Sequence, residues 1–579
     1  MSTIHAQCCS KYNRTYEPSH IQLSLDGVQE AKSSNCTTDA YSIKFNKCRN
    51  VYPLLLIKPH NREKYNEQTL LRTVLDDINS SDTIVLDDVI CDNPKRSIVR
   101  NALCHSSRYA CEYCESAGVS YVSDEVKKQV ATNLQRLSVQ KGDILEKIAA
   151  LEQSPGTSAQ KDNDDRQIVL FRDLYHTLET QEAEEKKKLR KQHIVWPSNT
   201  SDGRLRTINT IRNICTAIAT GRNTDEESEE LSPADRLGIV GTSVFLYQPR
   251  FNMINNLPVE YMHSVCLGVV RRLLELTFRV GERRQSRSKM TLSLPSQFNS
   301  LISAVRVPRE FSRRCRNLDL AVMKAQEQRN LLLFFFPLVL QCIDDIYEAE
   351  KKVWLLLAYM IRACVLPNNE YACIDENDVA LCSAMFYELY ESTFGPKQCT
   401  YSIHVVASHL LQIRGNQPLT FKSAFKYESL YSEMKNCYQP GTTSTLKQIL
   451  RNLIMKRLVE FHVCQASLFL KPDKVGNDDE PVKQSKECND LIYLFKDEKY
   501  FMYKVMNVND DDTVTCVEQK FYNVYFQLTP NLSWKDVGVF RIGPRGSTEC
   551  CLPISTIDGK VIRVGTYFIT CATNVLLEK

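Results

Sequence analysis

The stretch from His20 to Asp92 constrains the fold most, because its hydrophobic pattern changes period in a set order. Ile21, Leu23 and Leu25 alternate with Gln22, Ser24 and Asp26, the period-two signature of a half-buried strand with Asp26 on its polar face, and Gly27 then permits a turn or close backbone approach. Further strands are expected at Tyr41–Phe45 and Val51–Lys58, joined through Asn46–Asn50. Leu70, Leu71, Val74, Leu75 and Ile78 recur at helical spacing, and Thr83–Asp92 reads as a central strand. Pro94 can open a helix carrying Arg96 and Arg100.

Strand, strand, strand, helix, strand is the opening of a ribonuclease-H-like fold, in which acids on the first and fourth strands lie side by side. The rest of the chain reads as additions to that core. Ser123–Gln153 has a heptad pattern in Val130, Leu134, Leu137, Lys141, Ile144, Ile148 and Leu151. After a loop at Ser154–Asp165, a second helix is expected over Arg166–Gln192, making a projecting hairpin. Thr224–Glu230 is acidic and is expected to be mobile. Pro258–Val280, Gln328–Tyr347, Lys352–Val365 and Glu376–Glu391 read as helices of a large insertion. More helices are expected at His404–Ile413, Lys422–Asn436 and Thr445–Phe461, then a linker at Lys471–Lys486 and short β runs over Leu491–Val575. The fold class is α/β: a ribonuclease-H-like core with a large α-helical insertion and a small β-rich C-terminal domain. The divisions are a tail (1–19), core (20–122), hairpin (123–194), helical insertion (195–399), core (400–470), linker (471–490) and β domain (491–579).

Composition excludes little. With 43% apolar and 25% charged residues and a net charge of +4, the chain is globular, and any nucleic-acid surface must come from local clusters. The greasiest runs, Leu331–Cys342 and Val353–Met360, fall short of the roughly 20 residues that cross a bilayer. Met1–Ser10 lacks an apolar signal core, so the 23 cysteines are expected as thiols or metal ligands.

Three acids and two ligand pairs carry the chemistry. Asp26 and Asp92 follow strand runs, and Glu428 shares a helix stripe with Phe425 and Tyr431. Hard divalent cations prefer carboxylate oxygens, and a pair of them suits phosphodiester cleavage or transfer. Asp26 would bridge two Mg²⁺ ions, with Asp92 and Glu428 each completing one site. Singly, each acid has a plainer reading: an Asp-Gly turn for Asp26, an Asx cap before Asn93-Pro94 for Asp92, an exposed helix acid for Glu428. Asp87 and Asp88 compete with Asp92, and Glu433 with Glu428. Cys111-x-x-Cys114 is half of a zinc site by spacing, although among 23 cysteines about one such pair arises by chance. His404 and His409 supply the other half, and one structural Zn²⁺ on all four would close the insertion and dock the Glu428 helix against the Asp92 strand. Candidate phosphate contacts lie in three basic clusters, represented by Lys187, Arg284 and Arg313, with Arg96 favoured for its nearness to the acids.

At this point the chain resembles the RNase-H-like DDE transposases of the CACTA-type group found in animal genomes, related in layout to the catalytic subunit of the vertebrate V(D)J recombinase. The matching text includes "IQLSLDGVQEAKSS", "FNKCRNVYPLLLIKP", "ICDNPKR", "CEYC", "GIVGTSVF", "LPVEYMHSVCLGVVRRLL", "KAQEQRN" and "YSIHVVASHLLQIRGNQPLTFKSAFKYESLY", across about residues 20 to 455. The resemblance implies excision or joining of transposon DNA by Mg²⁺-dependent hydrolysis and strand transfer; a nuclear location, a homodimer or higher oligomer formed through the helical hairpin, and no membrane partner are also expected. It matches Asp26, Asp92 and Glu428 to the acid triad and Cys111, Cys114, His404 and His409 to the zinc pairs. Glu260 stands where the family motif Asp-x-Met-His has Asp, so Glu260 and His263 are structural or secondary candidates. Asp92-Asn-Pro-Lys-Arg replaces a more usual Asp-Ala-Pro-Ala-Arg. The core begins almost at Met1, so the amino-terminal DNA-recognition module that commonly accompanies such enzymes is expected to be missing or to lie in another reading frame. The rival readings are a domesticated, transposon-derived protein that binds DNA or chromatin without catalysis, and a coiled-coil scaffold built on Ser123–Gln153.

Overall fold

The computed structural model describes residues 19–29, 37–45, 51–57, 67–82, 84–122, 124–153, 158–190, 193–200, 203–221, 234–278, 290–305, 311, 317–343, 345–365, 375–436, 452–453, 491–496, 499–509, 513–523, 539–553, 556–557, 559–564 and 567–572. The chain opens with β1 (Ser19–Gln29), β2 (Thr37–Phe45), β3 (Val51–Ile57), α1 (Glu67–Asn79), β4 (Ile84–Cys91) and α2 (Asn93–Arg100). Next come β5 (Val119–Tyr121), the long helices α3 (Asp124–Glu152) and α4 (Ser158–Arg190), and β6 (His193–Val195). The helical part holds α5 (Ile208–Gly221), a π-helix (Met262–Val270), α6 (Arg271–Phe278), α7 (Met290–Ala304), α8 (Ala325–Asn330), a second π-helix (Leu331–Phe335) and α9 (Phe336–Val339). It continues through α10 (Glu348–Val365), α11 (Glu376–Phe394), α12 (Tyr401–Arg414) and α13 (Phe425–Asn436). The last strands are β7 (Leu491–Lys496), β8 (Lys499–Val508), β9 (Thr513–Asn523), β10 (Val539–Pro553), β11 (Gly559–Val564) and β12 (Tyr567–Ala572). The molecule is thus a mixed helix-and-sheet protein.

The first sheet has the order β3-β2-β1-β4, with β1 antiparallel to β2 and parallel to β4. Parallel partners need a crossover, and α1 supplies it, burying Leu71, Val74, Leu75 and Ile78. β1 departs from its expected half-exposed form. Ile21, Leu23 and Leu25 are fully buried on one face, but Gln22 and Ser24 on the other are only 2% exposed. That polar face is covered by α13, whose Tyr427, Leu430, Tyr431 and Met434 pack with Ala40, Val51 and Ile90 of the other three strands. Burial is tolerated because the polar groups are paired: Gln22 donates to Asp88 at 3.1 Å and to the Phe421 carbonyl at 2.9 Å, and Ser24 meets the Tyr431 hydroxyl at 3.2 Å. Nor does the strand turn at Gly27. It runs on, with Gly27 opposite Asp39.

Lys422 was expected inside a helix, yet it lies in the 3₁₀ turn Leu419–Lys422 before α13, and its ammonium is buried against Asp88 of β4. Replacing Asp88 by alanine would strand that ammonium beneath the sheet. We expect Asp88→Ala to cost about 3 kcal/mol in a denaturant melt; a loss below about 1 kcal/mol, the scale of an exposed pair, would contradict the pair's burial.

α3 and α4 form the expected hairpin, with Leu137, Ile144, Ile148, Ile168 and Leu178 between them. Lys141, at a core heptad position, reaches Glu182 at 3.0 Å and lies over the Tyr175 ring. The strands β5 and β6 pair at the hairpin's base. α4 begins at Ser158, before the expected Arg166, and so takes in part of the expected loop.

Two expected helices are interrupted. The Pro258–Val280 segment begins its helix only at Tyr261 and runs as a π-helix over Met262–Val270, while Gln328–Tyr347 breaks into α8, the second π-helix and α9, ending by Ile343. Pro337 explains the second break: with no N–H it cannot bond the carbonyl four residues earlier, Leu333. Arg362 of α10 donates to that carbonyl instead, at 3.0 Å. The C-terminal strands close a barrel in the order β10-β12-β11-β7-β8-β9, and β12 lies against the second π-helix and α9. Closure removes free edges, and register shifts in β10 let that long strand curve. Among the described residues no helix is long and apolar enough to cross a membrane. The Thr224–Glu230 segment, the Lys471–Lys486 linker and nearly all of Thr445–Phe461 lie outside the described residues.

Candidate functional site

Cys111 and Cys114 sit on the loop beyond α2, and His404 and His409 on α12, nearly 300 residues away. All four are buried, and their ligand atoms lie within 4.8 Å of one another. A Cys₂His₂ set suits a tetrahedral ion such as zinc, and these residues can hold one. The fit is supported by His409, which is buried with neither ring nitrogen in a hydrogen bond of sound geometry. An imidazole so placed is stranded unless a ligand takes it.

The surroundings prepare the ligands. His404 stacks on Trp196, with ring centroids 4.5 Å apart, and His409 stacks on Tyr113 at 5.2 Å. Tyr387 gives its only proton to the Trp196 carbonyl, so its oxygen can accept from His404 Nδ1 at 3.5 Å. That leaves His404 Nε2 facing Cys114 Sγ, also at 3.5 Å. Burial holds His404 below its usual pKa, in the neutral form a metal needs. Within the thiol pair, a hydrogen bond from Cys111 pushes Cys114 toward thiolate, while burial keeps Cys111 protonated. The Cys114 carbonyl is tied down by Arg206 Nε at 2.8 Å.

Arg96, expected at a DNA phosphate, is corrected by its burial: it is 1% exposed. Its Nε donates to Glu112 at 2.9 Å, and its Nη2 to Asn93 and the Tyr401 hydroxyl. Tyr401 in turn donates to the other Glu112 oxygen. Burial opposes the charge on Glu112, but Arg96 and Arg100 outweigh it and hold the carboxyl below its usual range. Glu112 lies between the two cysteines and Tyr401 opens α12, so Arg96 binds α2 to both halves of the metal centre. The reading from sequence missed Glu112. Its position inside a buried Cys-x-x-Cys was the available signal, since such an acid needs a cation.

Two of the acids lie on the neighbouring runs of β1 and β4. Leu25 pairs with Cys91, so Asp26 follows that pair within β1 and Asp92 follows it just past the end of β4. Asp92 is indeed an N-cap, accepting from Lys95 N at 2.9 Å, and that bond occupies one carboxylate oxygen. Glu428 sits in the first turn of α13, half-buried like Asp26 and Asp92. Asp26 and Glu428 both act electrostatically on His263 and on Tyr431. Among the described residues, the Cys/His set is the one group of three or more with ligand atoms drawn that close; the acids do not form a second. Asp87 and Asp88, the rivals of Asp92, are otherwise engaged, by His20 at 2.7 Å and by Lys422.

His263 lies at the start of the first π-helix, its Nδ1 2.8 Å from Glu260 Oε2. Burial alone would keep the ring neutral, but Glu260 reverses this, with smaller help from Glu428 and Asp26, pushing His263 up to about 9. Because the folded value lies above 6.5, the stability this charge contributes is complete below about pH 6.5 and is lost as pH rises through about 9. NMR titration of the His263 ring should place its midpoint well above that of an exposed histidine; a midpoint near 6.5 would refute the assignment.

Lys187 lies on α4. Arg284 and Arg313, with the clusters around them, lie outside the described residues. Neither a protein-family model nor a curated protein matches this chain.

Proposed function

We propose that the chain is a DDE-type transposase, cleaving DNA strands and transferring them with divalent metal on a ribonuclease-H-like core. The observation that supports this reading is the Leu25–Cys91 pair, which Asp26 and Asp92 directly follow, with the Glu428 helix packed on the same sheet. The sheet order and the parallel β1–β4 pair support the choice of core. DNA is the substrate and the nucleus the place of action on this reading, and the Cys111–Cys114–His404–His409 centre holds one structural Zn²⁺.

In this reading Asp26, Asp92 and Glu428 would hold two Mg²⁺ ions. Bound there, magnesium supplies activation of the attacking oxygen and neutralisation of the leaving one. Asp92 keeps one oxygen for this work, since the other caps α2. Gln22, Ser24 and Tyr431 hold β1 and α13 together beneath the site, and His263 balances the carboxylates' charge.

The test is a labelled DNA duplex incubated with the zinc-loaded chain in Mg²⁺, Mn²⁺ or Ca²⁺. Nicks or joined strands in Mg²⁺ or Mn²⁺ are expected. Salt-sensitive binding with no cut product under any condition would reject catalysis and leave the DNA-binding alternative.

A further inference from the structure

Glu260 is fully buried, yet its carboxylate is given over to four donors from two distant parts of the chain. Oε1 accepts from Met262 N at 2.7 Å and from Ala424 N at 2.5 Å. Oε2 accepts from His263 N at 2.7 Å and meets His263 Nδ1 at 2.8 Å. A π-helix begins with unpaired N–H groups, and two of them are satisfied here by one side chain. The Ala424 bond does something different. Ala424 lies just before α13, and its carbonyl receives Glu428 N at 2.9 Å, so a donor held by Glu260 belongs to the residue that starts the Glu428 turn.

We propose that Glu260 is a positioning residue for the acid site: it locks the first turn of α13 to the π-helix and so sets where Glu428 stands relative to Asp26. This rests on the proposed role of Asp26 and Glu428 as metal ligands. Met262 supports the lock from the apolar side, packing with Tyr427 and Tyr431 of the same helix. Two oxygens with four donors cannot be mimicked by an amide. Glutamine offers one acceptor and turns an NH₂ toward N–H groups, so one side of the clamp must open. Groups behind metal ligands typically change metal affinity by about 10- to 100-fold when altered.

The measurement is Mn²⁺ binding to the full-length, zinc-loaded chain, read by electron paramagnetic resonance alongside a thermal melt. Glu260→Gln should weaken Mn²⁺ binding by about 10-fold or more. Ala424→Pro deletes the N–H that the residue before α13 offers to Oε1 and leaves every charge in place, so a comparable loss there separates positioning from electrostatics. It also decides the matter if Glu260→Gln does not fold. Glu260→Asp, which keeps both acceptor oxygens, should retain more affinity than the glutamine variant. Wild-type Mn²⁺ affinity in Ala424→Pro, with binding lost in Asp26→Asn, overturns this proposal alone. Mn²⁺ binding that is absent, or indifferent to Asp26→Asn, overturns the metal-ligand reading and this proposal with it.

Discussion

Cys114→Ser is expected to release zinc and to destabilise the chain by on the order of 5 kcal/mol, more than an ordinary core truncation costs. The loss follows from what stays behind. His409 has no hydrogen-bond partner of sound geometry, His404 is desolvated in its neutral form, and Cys111 is buried. Without the ion these groups keep their burial cost and lose the interaction that offsets it. Trp196, stacked on His404, makes the event visible: its fluorescence and near-ultraviolet circular dichroism should change in the variant, and in the wild type on treatment with a strong chelator. Metal affinity should fall as pH drops, because protons compete for the thiolates and imidazoles. The damage should spread to the acids as well. Glu112 is held between the cysteines and anchors Arg96 of α2, the helix that Asp92 caps. Wild-type protein purified without bound metal, together with an unchanged melting temperature in Cys114→Ser, would remove the ion from this account.

Which parts of this arrangement were legible beforehand depends on the range of the interactions involved. Periodicity located β1 to β4 and most helices because each pattern is local, and the Cys and His spacings sufficed for the metal centre because ligand chemistry narrows the choices. The double burial of β1 could not be read locally. Gln22 and Ser24 look like a solvated edge until Tyr427, Tyr431 and Phe421 arrive from about 400 residues away to pair with them. Arg96 misled for a related reason: a cation beside acids suggests phosphate, whereas Glu112, 16 residues on, had already claimed it. Glu260 was visible only as a departure from a motif. Its weight became apparent once Ala424 was seen to share its carboxylate. The first π-helix has no period of its own that would announce it, although Pro337 could have signalled the second break.

Asp26→Asn should reduce single-turnover strand cleavage by about 10³-fold or more, a loss of roughly 4 kcal/mol in transition-state stabilisation, while leaving the melting temperature and DNA affinity near those of the wild type. The amide keeps the shape of the carboxylate but loses the charge that, on the proposed reading, would neutralise two cations. Binding should be retained because phosphate contacts carry affinity, and removing a negative charge near the strand cannot weaken them. Glu428→Gln should lose a similar factor, since on the proposed reading it would complete one of the two ion sites. Asp87→Asn is the matched control, an acid five residues before Asp92 that pairs with exposed His20, and it should cut within a few-fold of the wild type. The double variant carries the strongest test. Groups that act as one unit are not additive, so Asp26→Asn with Glu428→Gln should be about as slow as the slower single variant. If the two losses multiply instead, the carboxylates serve separate steps, and a shared metal pair between β1 and α13 is the wrong description of this site.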